Sequence, residues 1–159
     1  MEKSKQTTID EISFKLSQPF PKEDIHWRIG RKGRPGTALA LAYITSRMVM
    51  NRLDEVVGTE NWQSKHIAYG PKTICHIGIK LNGEWVWKSD GAGDSNFEPE
   101  KGGISDSLER AAVQWGIGRY LYSFPPIFAK TITDPDDGQT KIDKKDAWLK
   151  HDIKKGGKQ

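Results

Sequence analysis

The dipeptide Asn82-Gly83 constrains the fold of this chain more than any other local feature. Both residues accept positive φ, so a two-residue turn of this type joins antiparallel strands whose twist it matches. Segments with strand-like patterns lie on both sides of it, and a further one precedes a turn at residues 70–72. The three candidate strands are residues 62–69, 73–81 and 84–89. The pattern predicts an antiparallel β-β-β meander over residues 62–90.

Helical spacing of apolar residues predicts helices around this meander. The first begins at Thr8 or Asp10 and runs to about Leu16, and the second covers Ala38 to Val57 and stops at Gly58. The third is capped by Ser105 or Asp106 and runs to about Tyr122, although Gly116 and Gly118 suggest a close crossing or a break in it. We therefore expect an α+β fold in which the meander packs on helices.

A basic, glycine-rich segment lies at residues 28–36. The net charge of +4 and the isoelectric point of about 9.1 favour an anionic partner, and the basic excess lies outside the centre of the chain. Arg28, Arg31, Lys32 and Arg34 fall within this segment, after a short candidate strand at residues 24–29. Glycines permit close backbone approach and arginine forks hold phosphate oxygens, so a flexible loop here can wrap a phosphate backbone. The alternative is a solvated loop.

Trp27 precedes the first of these arginines and allows two interpretations. An exposed indole beside a cation can stack on a nucleobase. As the apolar member of an alternating strand, the same side chain is at least as well suited to the core. Trp62, Trp85, Trp87 and Trp115 lie in patterned strands or a helix and are interpreted as core or subunit-interface residues.

Several chemistries lack their sequence patterns. Cys75 is the one cysteine, so no internal disulfide can form, and it shows no zinc-ligand spacing with any histidine. No phosphate-binding P-loop is present. The carboxylates of residues 90–100, namely Asp90, Asp94, Glu98 and Glu100, leave a metal-dependent nuclease as a third alternative. We expect no catalytic activity, no metal and no cofactor.

The chain has no apolar run near the ~18 residues of a membrane span, and its N-terminus has no apolar stretch like that of a signal peptide. We therefore expect no membrane contact and a cytoplasmic location; that the cell is bacterial is implied only by the family resemblance given below.

Three segments together resemble the Rad52-type single-strand annealing proteins, particularly the short phage and bacterial ones. They are AYITSRMVMNRLDEVVGTENW at 42–62, CHIGIKLNGEWVWKSDGAG at 75–93 and EKGGISDSLERAAVQWGIGRYLY at 100–122. The resemblance covers about residues 24–128. It implies a β-β-β-α core, closed or open rings of subunits, and single-stranded DNA held in a positively charged groove. It also implies annealing without ATP in recombination and repair, because base pairing supplies the free energy.

The resemblance also implies roles for individual residues. Arg28 matches a basic position of the inner groove, and Arg110 matches the second member of a Lys-Arg pair whose first position here is Glu109. A further basic position of that helix is Val113 here, and Arg31, Lys32 and Arg34 are candidates to compensate for it. Lys80 and Lys101 are candidates for a secondary outer site, and Arg119 for either the groove or a subunit interface.

These expectations divide the chain into three parts: an N-terminal oligomerisation segment at 1–23, the annealing core at 24–128, and a charged, partly flexible tail at 129–159. Single-stranded DNA and further copies of the chain are the expected partners. Double-stranded DNA, a single-strand-binding protein and other recombination proteins stay open as partners. A binder that does not anneal, such as an OB-fold module, is the main alternative, but it should be all-β.

Overall fold

The computed structural model describes residues 2–92 and 99–156, with side chains for residues 8–91 and 103–156. Within them the fold is mixed α+β with antiparallel sheets, as the sequence predicts. Its elements are α1 (Glu2–Leu16), β1 (His26–Lys32), β2 (Thr37–Tyr43), α2 (Ser46–Val57), β3 (Trp62–Tyr69), β4 (Lys72–Leu81), β5 (Glu84–Ala92), α3 (Pro99–Gln114), β6 (Phe128–Thr133), β7 (Thr140–Ile142) and α4 (Lys144–Gly156). None of these helices is long and apolar enough to cross a membrane.

The chain groups into two compact units. The first comprises Met1–Pro19 and Ile44–Tyr120 and contains α1, α2, α3 and a three-stranded sheet in the order β3-β4-β5. The second comprises Phe20–Tyr43 and Leu121–Gln159 and contains α4 and a four-stranded sheet in the order β1-β2-β6-β7.

The three-stranded sheet is the predicted meander. Asn82 (φ 51°) and Gly83 (φ 83°) form the turn, and Leu81 pairs with Glu84 across it. The last strand continues to Ala92, three residues beyond its predicted end, into the glycine-rich segment at residues 91–103. Residues 93–98 of that segment lie outside the described residues. The turn chemistry therefore identifies the hairpin and its register correctly.

Helix α3 covers one face of the meander. Cys75 and Ile77 of β4 are fully buried, as are Ala111 and Ala112 of the helix. The small alanines allow the helix to approach the sheet closely, and the Trp115 indole nitrogen donates to the Ile77 carbonyl oxygen over 3.0 Å. Cys75 is therefore a core thiol.

Helix α3 ends at Gln114, so its predicted extension to Tyr122 is wrong. The cause is the pair Gly116 (φ 91°) and Gly118 (φ 73°), which adopt a left-handed conformation that terminates helices. A Cβ atom at Gly118 would lie 2.8 Å from the Ile44 Cδ1 atom, so the close approach also requires glycine there. The break that these glycines suggest is confirmed.

The predicted helix from Ala38 to Val57 is half wrong. Residues Thr37–Tyr43 form β2. Ala38 and Ala40 are buried on the core face of the sheet and alternate with outward-facing residues, which is the pattern of a strand. The helix begins only after Thr45, whose Oγ1 accepts a hydrogen bond from the Met48 backbone N–H. It ends at Gly58 (φ 89°), as predicted.

Secondary structure continues, as far as residue 156, through the region predicted to be a charged, partly flexible tail. Residues 128–156 contain β6, β7 and α4. Ala129, Ile142 and Ala147 of this region share a core with Ala38 and Ala40, whereas Phe128, Ile132, Leu149 and Ile153 are exposed. Composition alone does not reveal this core, because a few buried apolar residues are enough to pack against a strand lined with alanine. The functional division at residues 23 and 128 stays a prediction.

Candidate nucleic-acid interface

The basic segment is strand and turn rather than a flexible loop. Gly30, Arg31 and Lys32 complete β1, and the turn proper covers residues 33–36. The Gly33 N–H donates to the Thr37 carbonyl oxygen over 3.1 Å, and the Thr37 N–H donates to the Arg34 carbonyl oxygen over 2.8 Å. These bonds fix the tip of the β1–β2 hairpin. They also satisfy backbone groups that a flexible loop would leave to solvent.

A β-bulge interrupts the pairing of β1 with β2. Ile29 lies opposite Ala40 and Lys32 lies opposite Ala38, so Gly30 and Arg31 together face Leu39 alone. Residues three apart on a regular strand point to opposite faces of a sheet. The extra residue cancels this alternation, and it therefore brings Arg31 to the same face as Arg28.

We call this surface the arginine face. It is the side of β1, β2 and β6 that carries Arg28, Arg31, Tyr43 and Phe128, opposite the buried alanines. The Arg28 guanidinium carbon lies 5.9 Å from the centroid of the Tyr43 ring, and that of Arg31 lies 5.4 Å from the centroid of the Phe128 ring. Both distances are within the ~6 Å at which a cation is attracted to an aromatic ring. The rings thus restrict where each guanidinium lies.

The charge on the arginine face is of one sign. The strands β1, β2 and β6 contain no aspartate or glutamate, and both arginines are exposed. Lys130 of β6 pairs with Thr37, so it lies on the same side. An array of exposed guanidinium and ammonium groups on rigid strands can bind the phosphates of an extended nucleic-acid strand.

The other two cations of the segment are placed differently. Lys32 is exposed but lies opposite Ala38, at a position that belongs to the core side of β2. Arg34 lies on the turn, where its backbone carbonyl closes the hairpin. The four predicted cations are therefore not one cluster, and two of them share the arginine face.

Trp27 points away from the arginine face. Its ring centroid lies 5.1 Å from that of Trp148 in an edge-on arrangement, and its ring also contacts Phe124 and His151. The indole nitrogen is buried, without a hydrogen-bond partner among the described residues. This geometry favours the core interpretation of Trp27 over base stacking.

In the first unit, Arg110 and Arg119 both make contacts within the protein. The Arg110 Nε atom lies 3.8 Å from the Asp90 Oδ1 atom of β5, with the arginine side chain about half exposed. The Arg119 guanidinium donates to the Val113 carbonyl oxygen over 3.0 and 2.7 Å and to that of Gln114 over 3.0 Å. Arg119 thus caps the C-terminal end of α3, where a cation is favourable. Roles of both in DNA binding stay predictions.

The remaining predicted cations lie on separate elements. Lys80 is exposed on β4 and pairs with Trp85 across the hairpin. Lys101 is in the first turns of α3, and its side chain lies outside the described residues.

The carboxylate cluster proposed for a nuclease is described only in part. Asp94 and Glu98, with the side chain of Glu100, lie outside the described residues. Asp90 accepts a hydrogen bond from the Gly91 N–H over 2.7 Å and lies near Arg110. Among the described side chains, no three His, Cys, Asp or Glu residues are arranged to hold a metal ion.

Burial also bears on the one thiol of the chain. It raises the pKa of Cys75 to about 11, so the thiol stays protonated near neutral pH and is a poor nucleophile.

The sequence interpretation missed Tyr43, Phe128 and Lys130. Tyr43 was assigned to a helix, although the alternation of residues 37–43 is the pattern that places it beside Arg28. Phe128 and Lys130 lay at the boundary of the expected tail. Their alternation with buried Ala129 is a two-residue pattern too short to be recognised alone.

The comparisons with known proteins point to one family. The model of the Rad52/22 family double-strand break repair protein matches residues 8–77 and 72–139. Single-stranded DNA-binding protein DdrA from Deinococcus radiodurans is 30% identical over 134 residues, which cover 82% of this chain and 62% of that protein. The protein of the same name from Deinococcus deserti is 33% identical over 121 residues, covering 74% and 59% respectively. The chain thus spans about six tenths of the length of these curated relatives.

Proposed function

Because the chain belongs to the Rad52/22 family of double-strand break repair proteins, we propose that it binds single-stranded DNA and anneals complementary strands without nucleotide hydrolysis. The names of the two Deinococcus relatives, both single-stranded DNA-binding proteins, support the choice of ligand. The α+β architecture argues against the alternative of an all-β OB-fold binder.

The arginine face is the observation that carries this proposal. Arg28 and Arg31 lie on one side of a rigid sheet, each beside an aromatic ring, on strands without carboxylates. Such a face neutralises phosphates and holds the backbone in an extended form. Binding to this face does not depend on the base sequence, because contacts to phosphates do not distinguish one base from another. Bases that stay exposed can then pair with a complementary strand, and base pairing drives the reaction.

We propose further that the protein acts as a homo-oligomeric ring. Within the described residues, β3 and β5 form the two edges of the meander, since each pairs with β4 alone. Edge strands present unpaired backbone groups to which another copy of the chain can add. In a ring, the edge strand of each subunit would pair with the opposite edge of its neighbour. Because a closed head-to-tail ring has no free end, the backbone groups of both edges would be paired in every subunit.

The proposal is tested by annealing of two complementary fluorescent oligonucleotides without ATP, with the mass of the protein measured by light scattering in the same buffer. We expect faster annealing than in buffer alone and an assembly of many subunits. Tight binding that slows annealing would support the plain binder instead. Degradation of the oligonucleotides with Mg²⁺, abolished by Asp90→Asn, would support the nuclease.

A further inference from the structure

The meander has a second face, on the side of the sheet opposite α3. Because side chains alternate, the register of β3, β4 and β5 places Lys65, Lys72, His76, Lys80, Trp85 and Trp87 on this outer face. The two carboxylates of the sheet, Glu84 and Asp90, occupy positions of the other side. The outer face therefore combines aromatic rings with cations and carries no carboxylate.

Two tryptophans of β5 lie side by side on the outer face. The Trp87 ring lies flat on Gly78, where an added Cβ atom would come within 2.9 Å of three of its ring atoms. The centroids of Trp85 and Trp87 are 6.2 Å apart and their planes are inclined by 29°, so the rings are stacked with an offset. Trp85 is the outer member and is 39% exposed.

Cations surround this pair. The Lys65 ammonium nitrogen lies 4.7 Å from the centroid of the Trp87 ring. Lys80 pairs with Trp85 across the hairpin and is exposed. One lysine thus lies against a ring of the pair, and the second is the cross-strand neighbour of the other ring.

This chemistry fits one kind of ligand. Single-stranded nucleic acid offers both unstacked bases for the rings and phosphates for the lysines, and binders of such strands combine stacking aromatic residues with a positive groove. A duplex keeps its bases stacked on one another. An apolar protein surface would match the tryptophans but would leave the lysines desolvated without partners.

We propose that the outer face of the meander binds single-stranded DNA, with a base stacked on Trp85, which Trp87 supports from below, and phosphates held by Lys65 and Lys80. This rests on the proposed function and adds to it a surface that engages bases. The arginine face holds phosphates and leaves bases exposed, whereas the outer face holds bases themselves. The two surfaces should therefore respond differently to removal of the bases from the ligand.

The test uses the full chain and two ligands of equal length, oligo(dT) and an abasic oligodeoxynucleotide with the same phosphates. Trp85→Ala should weaken binding of oligo(dT) about tenfold, because one stacked base is lost. Binding of the abasic strand should change less than twofold. Trp85→Phe should keep most of the affinity, because a ring remains. Val86→Ala is the matched control, since Val86 is the next residue, is 38% exposed and lies on the opposite side of the sheet.

Several results would overturn the inference. Equal losses on the two ligands would mean that Trp85 acts through phosphates or folding, and an unchanged affinity for oligo(dT) would remove it from the surface. If Trp85→Ala dissociates the assembly in light scattering and weakens both ligands alike, the outer face joins copies of the chain. In each of these cases the wild-type protein still binds DNA, and the proposed function stands. A wild-type protein that binds neither ligand would overturn both.

Discussion

The β-bulge in β1 predicts which of the neighbouring cations affect DNA binding. Arg28 and Arg31 lie on the arginine face, whereas Lys32, the next residue, is at a core-side position opposite Ala38. The double substitution Arg28→Gln and Arg31→Gln should therefore lower the salt dependence of binding to single-stranded DNA. Lys32→Gln should leave this dependence unchanged, although it removes a cation from the same short segment.

The magnitude follows from counterion release. For single strands, each phosphate contact contributes about 0.7 to the slope of log affinity against log salt concentration. Loss of two contacts should make the slope shallower by about 1.4, and loss of Arg31 alone by about 0.7. When salt is raised from roughly 50 to 200 mM, the affinity of both proteins should fall. The fold-loss of the double variant should be about seven times smaller than that of the wild-type protein.

The assay is fluorescence anisotropy of a labelled oligo(dT) titrated with each variant at several salt concentrations. Circular dichroism spectra identify any variant that has not folded. Arg47→Gln is a second control, because Arg47 is an exposed arginine on a helix, α2, and not on a strand of the arginine face. If Lys32→Gln flattens the slope as much as Arg31→Gln does, the bulge does not determine which of these cations contact DNA, and the reasoning is refuted.

Three predictions concern stability. Gly118→Ala should lower the free energy of unfolding by about 2–4 kcal/mol, because the position has a positive φ and the new Cβ atom would clash with Ile44. Gly138→Ala is the control, since Gly138 has φ 71° but open space around it, and it should cost only about 1–2 kcal/mol. Equal losses for the two variants in urea unfolding would exclude the clash. Trp148→Ala should cost about 3–5 kcal/mol by the same measurement, and a loss under about 1 kcal/mol would contradict the docking of α4. The hydrogen bond from Lys150 lowers the pKa of Asp146 in the folded state, so its stabilising contribution is present above the unfolded pKa of about 4 and is lost as the pH falls. Asp146→Asn should flatten the stability profile between about pH 5 and 3, and an unchanged profile would disprove this role.

The parts of the fold that the sequence predicts well are those in which local chemistry decides the conformation. Asn82 and Gly83 adopt positive φ, and this fixes the hairpin whatever lies around it. Gly58 ends α2 for the same kind of reason. Likewise, Gly116 and Gly118 interrupt the third helix where their spacing suggests a break.

The parts that it predicts poorly depend on distant partners. Residues 38–43 contain alanines and leucines, which favour helix in isolation, but pairing with β1 and β6 makes them a strand. The C-terminal region has few apolar residues, and its order depends on contacts such as that of Trp148 with Trp27. Tertiary packing overrides local propensity in both cases.

The candidate site shows the same division. Residue types identify Arg28 and Arg31 as phosphate-binding candidates. Their common face depends on a bulge that no local pattern marks, because it appears only in the pairing of β1 with β2. The aromatic partners Tyr43 and Phe128 come from two other strands, so they too require the sheet to be known.

Strand β2 places its small and large residues in an unusual way. Its alanines face the core, while Leu41 faces outward, is 38% exposed and lies over Gly30, where a Cβ atom would come within 2.9 Å of its Cδ1 atom. A strand of DNA on the arginine face would therefore cover hydrocarbon as well as charge. Burial of hydrocarbon releases no counterions and lowers the heat capacity. Calorimetry should accordingly record a negative heat-capacity change on binding, and part of the affinity should persist at salt concentrations that suppress counterion release.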